Sequence, residues 1–487
     1  MTTLGYTRDY VQEDYPDSMS FVPHSVRTEH TARAITAQRI VTSVRPLGGS
    51  SISAGGNLIF QLPYGEGAGF MKAGSAYIRA ELLVQGSSTG TYGFAGSMGD
   101  ASTLINQLNV TLGGASVENI LYVNKFTSNV LNPWMTSASY LNNLALTSGL
   151  TAGQPNLKAI TYTESQGANA SVNKLPNTNF TNAVAQSSST SPEAGNAYPK
   201  ILIPLHFSGL LNGGDSIQSV PLSLLNSPLS LQFLMSSVND ALWTSSAFTP
   251  TNWTLNNIEL IYEKLNPEPS YIHELKAQMA SKLYVIPLTT VQSVTFQGGS
   301  NVSYNASINS SALKGAAFGY LPVSAQATST TTSKAFQAPT GAYAGLDSTD
   351  GVFNRILLLD SEPADLFPDR CKDAVTKIAE NYRMVSGQCF SDPDLSCNIT
   401  QVGDTRYGVS NSFGTYYGSN TVTMFNTQPY TPEVGVVMNG KPVNIANFIA
   451  QFLNSGIGYS SNDAWYGYFF IQELLTIAGD GSATIVK

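Results

Sequence analysis

The residues of this 487-residue chain that could do chemistry are few and widely spaced. There are four histidines, His24, His30, His206 and His273, and three cysteines, Cys371, Cys389 and Cys397. His206 follows Leu205 inside the apolar run KILIPLHF, where an imidazole reads as a wall or rim residue and not as a base. His273 stands beside Glu274, and adjacent residues of a helix do not share a face. The cysteines are 18 and then 8 residues apart with no histidine near them, a spacing that matches no common zinc pattern. Their odd number leaves a free thiol or an intermolecular bond. Asp360, Glu362 and Asp365 in LLLDSEPADLF suggest a cation, but lack the ligand periodicity of a calcium loop and read as a solvated turn. No HExxH, GxSxG, P-loop or glycine-rich dinucleotide fingerprint occurs. The chain is therefore read as no enzyme, without catalytic residues, cofactor or metal.

Composition points elsewhere. Apolar residues are 42% of the chain, enough for two cores, while charged residues are only 11%. An ordinary globular domain carries roughly 25% charge. Ser, Thr, Asn and Gly cover the difference, and such a surface loses little when it is dehydrated against another protein. Net charge is −8, and no basic cluster has the density of a genome-packaging arm. Arg27, Arg33, Arg39 and Arg45 recur every six residues, with Glu29 among them, and read as a solvated arm lying on a neighbouring subunit. The opening MTTLGYTRDYVQEDYPD is not read as a signal peptide, and no apolar run reaches the ~20 residues a membrane span needs.

The elements that would position anything are strands. Residues 1–49 read as an extended N-terminal arm. Leu58–Leu62 is a short β-type run, and SAYIRAELLVQ alternates Ile78, Ala80, Leu82 and Val84 against Tyr77, Arg79, Glu81 and Leu83, as a half-buried strand does. LINQLNVTLGG and VENILYVNKF read as strands joined at Gly113–Gly114, and 133–147 as one short helix. The polar stretch 151–198 reads as an exposed loop. Strands resume at KILIPLHF, IQSVPLSLL, PLSLQFLM and WTLNNIELIYEKL. A linker, 267–281, then places Ile272, Leu275 and Met279 on one helix face. Strands return at KLYVIPL and VQSVTFQ. They are interrupted by a second exposed loop, 326–345, and a helix near 369–384, and end on YGYFFIQELLTIA. Two sandwiches, 50–266 and 282–487, account for this all-β pattern.

Two segments carry a resemblance. In NIELIYEKLNPEPSYIHELKAQ a strand ending in Tyr262 and Glu263 leads through Pro267 and Pro269 into a short helix. In ILIPLHFSGLLNGGDSIQSVPLSLLNSPLSLQF the pattern rests on Ile203, Pro204, Leu205, Phe207, Pro221, Leu222, Leu225 and Leu231. Both resemble the double jelly-roll major capsid proteins of icosahedral double-stranded DNA viruses. The resemblance implies two tandem eight-stranded jelly rolls joined by a short helix-containing linker. Tyr262, Glu263, Ile272, Leu275, Met279, Pro204 and Phe207 become the linker and interface candidates. It further implies a pseudo-hexagonal homotrimer that tiles a viral shell, in a virion assembled inside the host cell. The partners would be further trimers and minor capsid or penton proteins. An internal membrane or its proteins, where a virus has one, would meet the arm, and no sequence-specific nucleic acid would be bound. The alternatives are a secreted or surface β-sandwich that binds carbohydrate or protein, displaying Trp243, Trp253 and Trp465, and another coat component such as a penton protein.

Overall fold

The computed structural model describes residues 37–86, 92–96, 99–135, 148, 186–187, 200–212, 219–244, 249–280, 282–298, 301–305, 308–321, 323, 326, 334, 336, 353–359, 362–363, 422–427, 441–444, 448–454 and 461–486. In the first half the main strands are β1 (Ala37–Val44), β2 (Asn57–Gln61), β3 (Tyr77–Gly86), β4 (Ile105–Leu112), β5 (Ala115–Leu121), β6 (Lys200–Pro204), β7 (Ser230–Met235) and β8 (Pro250–Pro267). They form two antiparallel sheets in the orders β1-β8-β3-β6 and β2-β7-β4-β5. First pairs with last, second with seventh, third with sixth and fourth with fifth, which is one long hairpin rolled into a jelly roll.

The second half repeats this order without repeating the sequence. Its strands are β9 (Tyr284–Gln297), β10 (Asn301–Asn305), β11 (Ser310–Leu321), β12 (Phe353–Leu359), β13 (Glu362–Pro363), β14 (Val422–Asn426), β15 (Phe448–Asn454) and β16 (Ala464–Ile477). The sheets run β9-β16-β11-β14 and β10-β15-β12-β13. The chain is two tandem jelly rolls. Among the helical pieces that pack against these sheets, three bear on the seam and the linker. They are α1 (Val123–Phe126, continued as a π-helix over Thr127–Met135), the single turn α2 (Gly209–Asn212) and the linker helix α3 (Pro269–Met279).

Local chemistry explains the strands. β3 buries Ile78, Ala80, Leu82 and Val84 and turns the alternate residues outward. In β8 the same alternation survives a bulge. One extra residue sits between Asn256, opposite Glu81, and Glu259, opposite Arg79, with Asn257 at φ 51°. Trp253 and Leu255 therefore point inward before the bulge, and Ile258, Leu260 and Tyr262 after it. Gly113 and Gly114, at φ 55° and 85°, make the two-residue turn between β4 and β5, where positive φ at both positions suits glycine. The second barrel is filled largely by rings: Phe469 meets Phe318 edge-on at 5.6 Å and Phe448 at 5.3 Å, and Trp465 stacks on Phe296 at 6.0 Å.

Several expectations change. Ala37–Val44, read as arm, is an edge strand of the first sheet, paired with β8 from Ala37↔Pro267 to Val44↔Leu260. Only one of its faces is covered, so Ile40, Thr42 and Val44 are half-buried and the composition stays polar. Of the helix expected at 133–147 only 133–135 are described, as the end of helical structure that starts at Val123, and the remainder lies outside the described residues; VENILYVNKF stops being strand at Leu121. Among the described residues of IQSVPLSLL, 219–225, there is no strand beyond a single bridge from Val220 to Met71. Pro221 offers no N–H to a ladder, and a turn at Leu222–Leu224 buries its leucines instead. YGYFFIQELLTIA is followed by a further strand, β17 (Ala483–Val486), which hairpins onto β16. In the stretch 326–345, expected to be exposed, Lys334 and Phe336 are buried. Within 151–198, Gln186–Ser187 pair with the end of β3. The helix near 369–384, the cysteines, Asp360 and Asp365 lie outside the described residues.

The linker helix α3 starts on Pro269, whose missing N–H costs nothing in a first turn. It buries Leu275 and Met279 and half-buries Tyr271 and Ile272 against the main core. Leu275 is fully enclosed, so Leu275→Ala should cost about 2–5 kcal/mol and lower the thermal midpoint clearly. A midpoint moved by less than about 1 °C in a thermal melt would contradict this packing.

Candidate functional site: the seam between the barrels

The two barrels meet along β16. This strand reads AWYGYFFIQELLTI, and almost every side chain in it is buried. Trp465, Phe469 and Ile471 face the core of the second barrel, while Tyr466, Tyr468 and Phe470 belong to the cluster that includes the first barrel's core. The alternation of a strand thus hands successive rings to two different barrels.

Helix α1 covers the outer face of β16. Tyr122, held at φ 54°, turns the chain from β5 into α1. Its carbonyl accepts a hydrogen bond from the Tyr468 hydroxyl at 3.2 Å, and its ring meets Tyr466 edge-on at 5.2 Å. Phe126 contacts Tyr468 at 4.9 Å and Phe470 at 6.0 Å. Burial pushes the Tyr468 phenol well above its ordinary pKa, so it stays a neutral donor. Lys125 lies beside the same rings, 5.3 Å from the Tyr466 centroid, and pairs with Asp240 at 2.9 Å. Burial opposes the Lys125 charge, but Tyr466 and Asp240 outweigh it and hold the ammonium above its usual pKa. Asp240 is held below the carboxylate range in return, against its own burial. Asn129 completes the cover: its amide donates to the Lys334 carbonyl at 3.3 Å and its oxygen accepts from the Phe336 N–H at 3.2 Å. Phe336 then stacks on Tyr466 at 5.7 Å.

A polar layer lies beside the aromatic one. Glu118 of β5 accepts hydrogen bonds from the Ser208 hydroxyl and from the Gly209 N–H at 2.7 Å. A Cβ at Gly209 would fall 1.9 Å from the Thr289 carbonyl of β9, so the first barrel touches the second through bare backbone. Lys314 of β11 donates to the Thr289 hydroxyl at 3.1 Å, and Gln472 and Glu473 of β16 are buried nearby. The C-terminal hairpin closes the end of the seam. The Ala483 N–H donates to the Gly113 carbonyl at 3.2 Å, and the Asn226 N–H donates to the Gly481 carbonyl at 3.2 Å.

The residues singled out from sequence lie in three places. Leu275, Met279 and Ile272 are on α3 against the core. Tyr262, Pro204 and Phe207 are buried inside the first barrel. Glu263 sits at its surface between Arg39 and Lys72, and these two cations hold its carboxyl below the usual range. His206 is half-buried beside Asn132, 3.1 Å from its oxygen, and burial lowers it to about 4. Trp253 and Trp465, which a carbohydrate binder would display, are 0% and 1% exposed. A surface cleft of about 350 Å³ at the β8 bulge is lined by Arg45, Arg79, Glu81, Asn257 and Glu259, whose groups largely satisfy one another. Sequence reading missed Glu118, Tyr122, Lys125, Phe126 and Asn129. A signal was present in β16, since a strand apolar on both faces needs a second cover.

Neither a family model nor a curated protein sequence matches the chain. Among solved structures it is similar to the Faustovirus major capsid protein, at 10% identity and a TM-score of 0.56, covering 93% of this chain and 92% of that one. A chain of the PBCV-1 virus capsid gives 10% identity, a TM-score of 0.52 and coverage of 93% and 98%. A chain of the Sputnik virophage structure gives 12%, 0.52, and coverage of 95% and 91%. At such identities the likeness is one of fold, and it extends through both barrels. The chain is a double jelly-roll protein.

The tight packing of Gly209 against β9 makes a test. Gly209→Ala drives a methyl into the Thr289 carbonyl and should cost about 1–3 kcal/mol in chemical denaturation. Unchanged stability would mean that α2 and β9 are not in contact.

Proposed function

We propose that the chain is a structural major capsid protein, a subunit of an icosahedral viral shell. The observation that carries this reading is one jelly-roll strand order used twice in one chain and joined through a buried seam. Similarity of fold to three viral capsid structures over more than nine-tenths of the chain supports it. The role needs shape more than chemistry. Three chains of two barrels each present six similar sandwiches around one axis, an outline that tiles a curved lattice with few distinct contacts. A barrel pair that flexed would blur that outline, and the seam is what would keep it stiff.

The surface suits repeated association. Charged residues are 11% of the chain and net charge is −8, so repulsion between copies is small and screened beyond about 8 Å at physiological salt. The trimer contact belongs in the obligate class of roughly 2,000 Å² or more, and contacts between trimers are weaker and more polar, so that a growing lattice corrects its errors. The linker candidates on α3 act in this reading by holding the barrels within one tile. Minor capsid or penton proteins fill the five-fold positions, and the N-terminal segment faces the interior.

Light scattering coupled to size exclusion should give about three chain masses across a wide dilution range, with hexagonal particles in negative stain. A stable monomer at micromolar concentration without such particles would favour the binding-module reading instead.

A further inference from the structure

β1 is an edge strand, and among the described residues nothing pairs with its outer edge. Every second residue of such a strand turns its N–H and C=O away from its one neighbour, so the outer edge of β1 carries a row of unpaired backbone groups. Edges of this kind are normally blunted by a bulge, a proline, a lysine or an inward-pointing charge. β1 has none of these. Its register with β8 runs one to one from Ala37↔Pro267 to Val44↔Leu260, and its sequence AQRIVTSV holds no proline, lysine or acid. Its one charge, Arg39, is tied to Glu263. Val41, on the outward face near the middle of the strand, is 68% exposed, more than any other large apolar residue described. On the inward face Ile40, Thr42 and Val44 are only half-buried, with no strand to flank them on that side.

We propose that the outer edge of β1 is a contact site for a second copy of this chain, which adds its own β1 antiparallel about a two-fold axis through Val41. The strand fits itself in that register. Val41 stands opposite Val41, Ile40 opposite Thr42, Arg39 opposite Ser43 and Gln38 opposite Val44. Arg45, just beyond the strand, falls opposite Ala37, so no charge faces a like charge directly. Opposed residues of an antiparallel pair share a face, which leaves open only registers that match odd positions with odd and even with even. Centring the axis on Thr42 would set Arg39 against Arg45, and centring it on Ile40 would set Arg39 against Val41. The register through Val41 covers the exposed valine with a side chain of its own shape and gives the half-buried inner residues a flanking strand. This self-matching order singles out an identical strand, since a two-fold contact uses the same patch on both copies. The first sheet then runs on from one copy into the next through the paired β1 strands. The proposal goes beyond the shell reading and needs only two copies. Where three chains form a tile, the tile's own contacts are three-fold, so this one joins one tile to the next.

Cross-linking of the full chain tests both the contact and its register. Val41→Cys, treated with a short bis-maleimide, should give a covalent dimer whose mapped peptide joins position 41 to position 41, above the baseline that Cys371, Cys389 and Cys397 set in the native chain. Opposed side chains of an antiparallel pair stand about 5 Å apart at Cβ, within reach of that reagent. A mixture of Arg39→Cys and Ser43→Cys chains should link one variant to the other. Neither should link well to itself, because like positions there are offset by about four residues, or ~13 Å, along the strand. No dimer above baseline, or a dimer without the 41-to-41 link, overturns the proposal. Val41→Lys sets two ammoniums face to face at an exposed site. In sedimentation velocity the native chain should grow with concentration beyond its basal mass, and this variant should lose that growth while keeping its thermal midpoint; equal growth in both would also overturn the contact. Should the variants at position 41 fail to fold, the mixture of Arg39→Cys with Ser43→Cys decides alone. A trimer mass by light scattering with no 41-to-41 link strikes this contact and spares the shell reading. The link in a chain that stays dimeric strikes the shell reading and spares the contact.

Discussion

A strand with two apolar faces has to be covered twice, and β16 imposes that requirement on the whole molecule. Its own barrel takes Trp465, Phe469 and Ile471. Tyr466, Tyr468 and Phe470 would face water if the second barrel stood alone, exposing three aromatic rings on one face. Burying rings of that size is among the largest favourable contributions a contact can make. The first barrel answers with α1, and the aromatic layer between them makes two sandwiches into one body.

The polar groups of the seam follow from that burial. Tyr466 and Tyr468 bring hydroxyls into a dry region. One is met by the Tyr122 carbonyl and the other lies in the field of Lys125, itself neutralised by Asp240. Removing one member of such a cluster leaves the others buried without compensation, which is costly, whereas the intact set is close to balanced. This arrangement selects one relative orientation of the barrels. A purely greasy contact would tolerate sliding.

What was legible in the sequence was local. The alternation in β3, the paired glycines at 113 and 114 and the face of Ile272, Leu275 and Met279 are periodic signals, and each element lies where its period places it. β1 escaped because an edge strand with one covered face looks like solvated chain. IQSVPLSLL misled because an apolar run does not distinguish a strand from a buried turn, and Pro221 was the residue that should have decided it. The seam was invisible for a different reason: Tyr122 and Tyr468 are 346 positions apart, and Glu118 and Ser208 are 90 apart. No window along the chain holds both partners. The two-faced apolar character of β16 was the one clue, and it announces that a cover exists without saying which residues provide it.

A seam of this kind should make the two barrels one cooperative unit. Differential scanning calorimetry of the purified full-length chain tests that most directly. A single transition is expected, in which both barrels melt together and the calorimetric enthalpy matches the van't Hoff enthalpy. Two resolved transitions, one for each barrel, would contradict it.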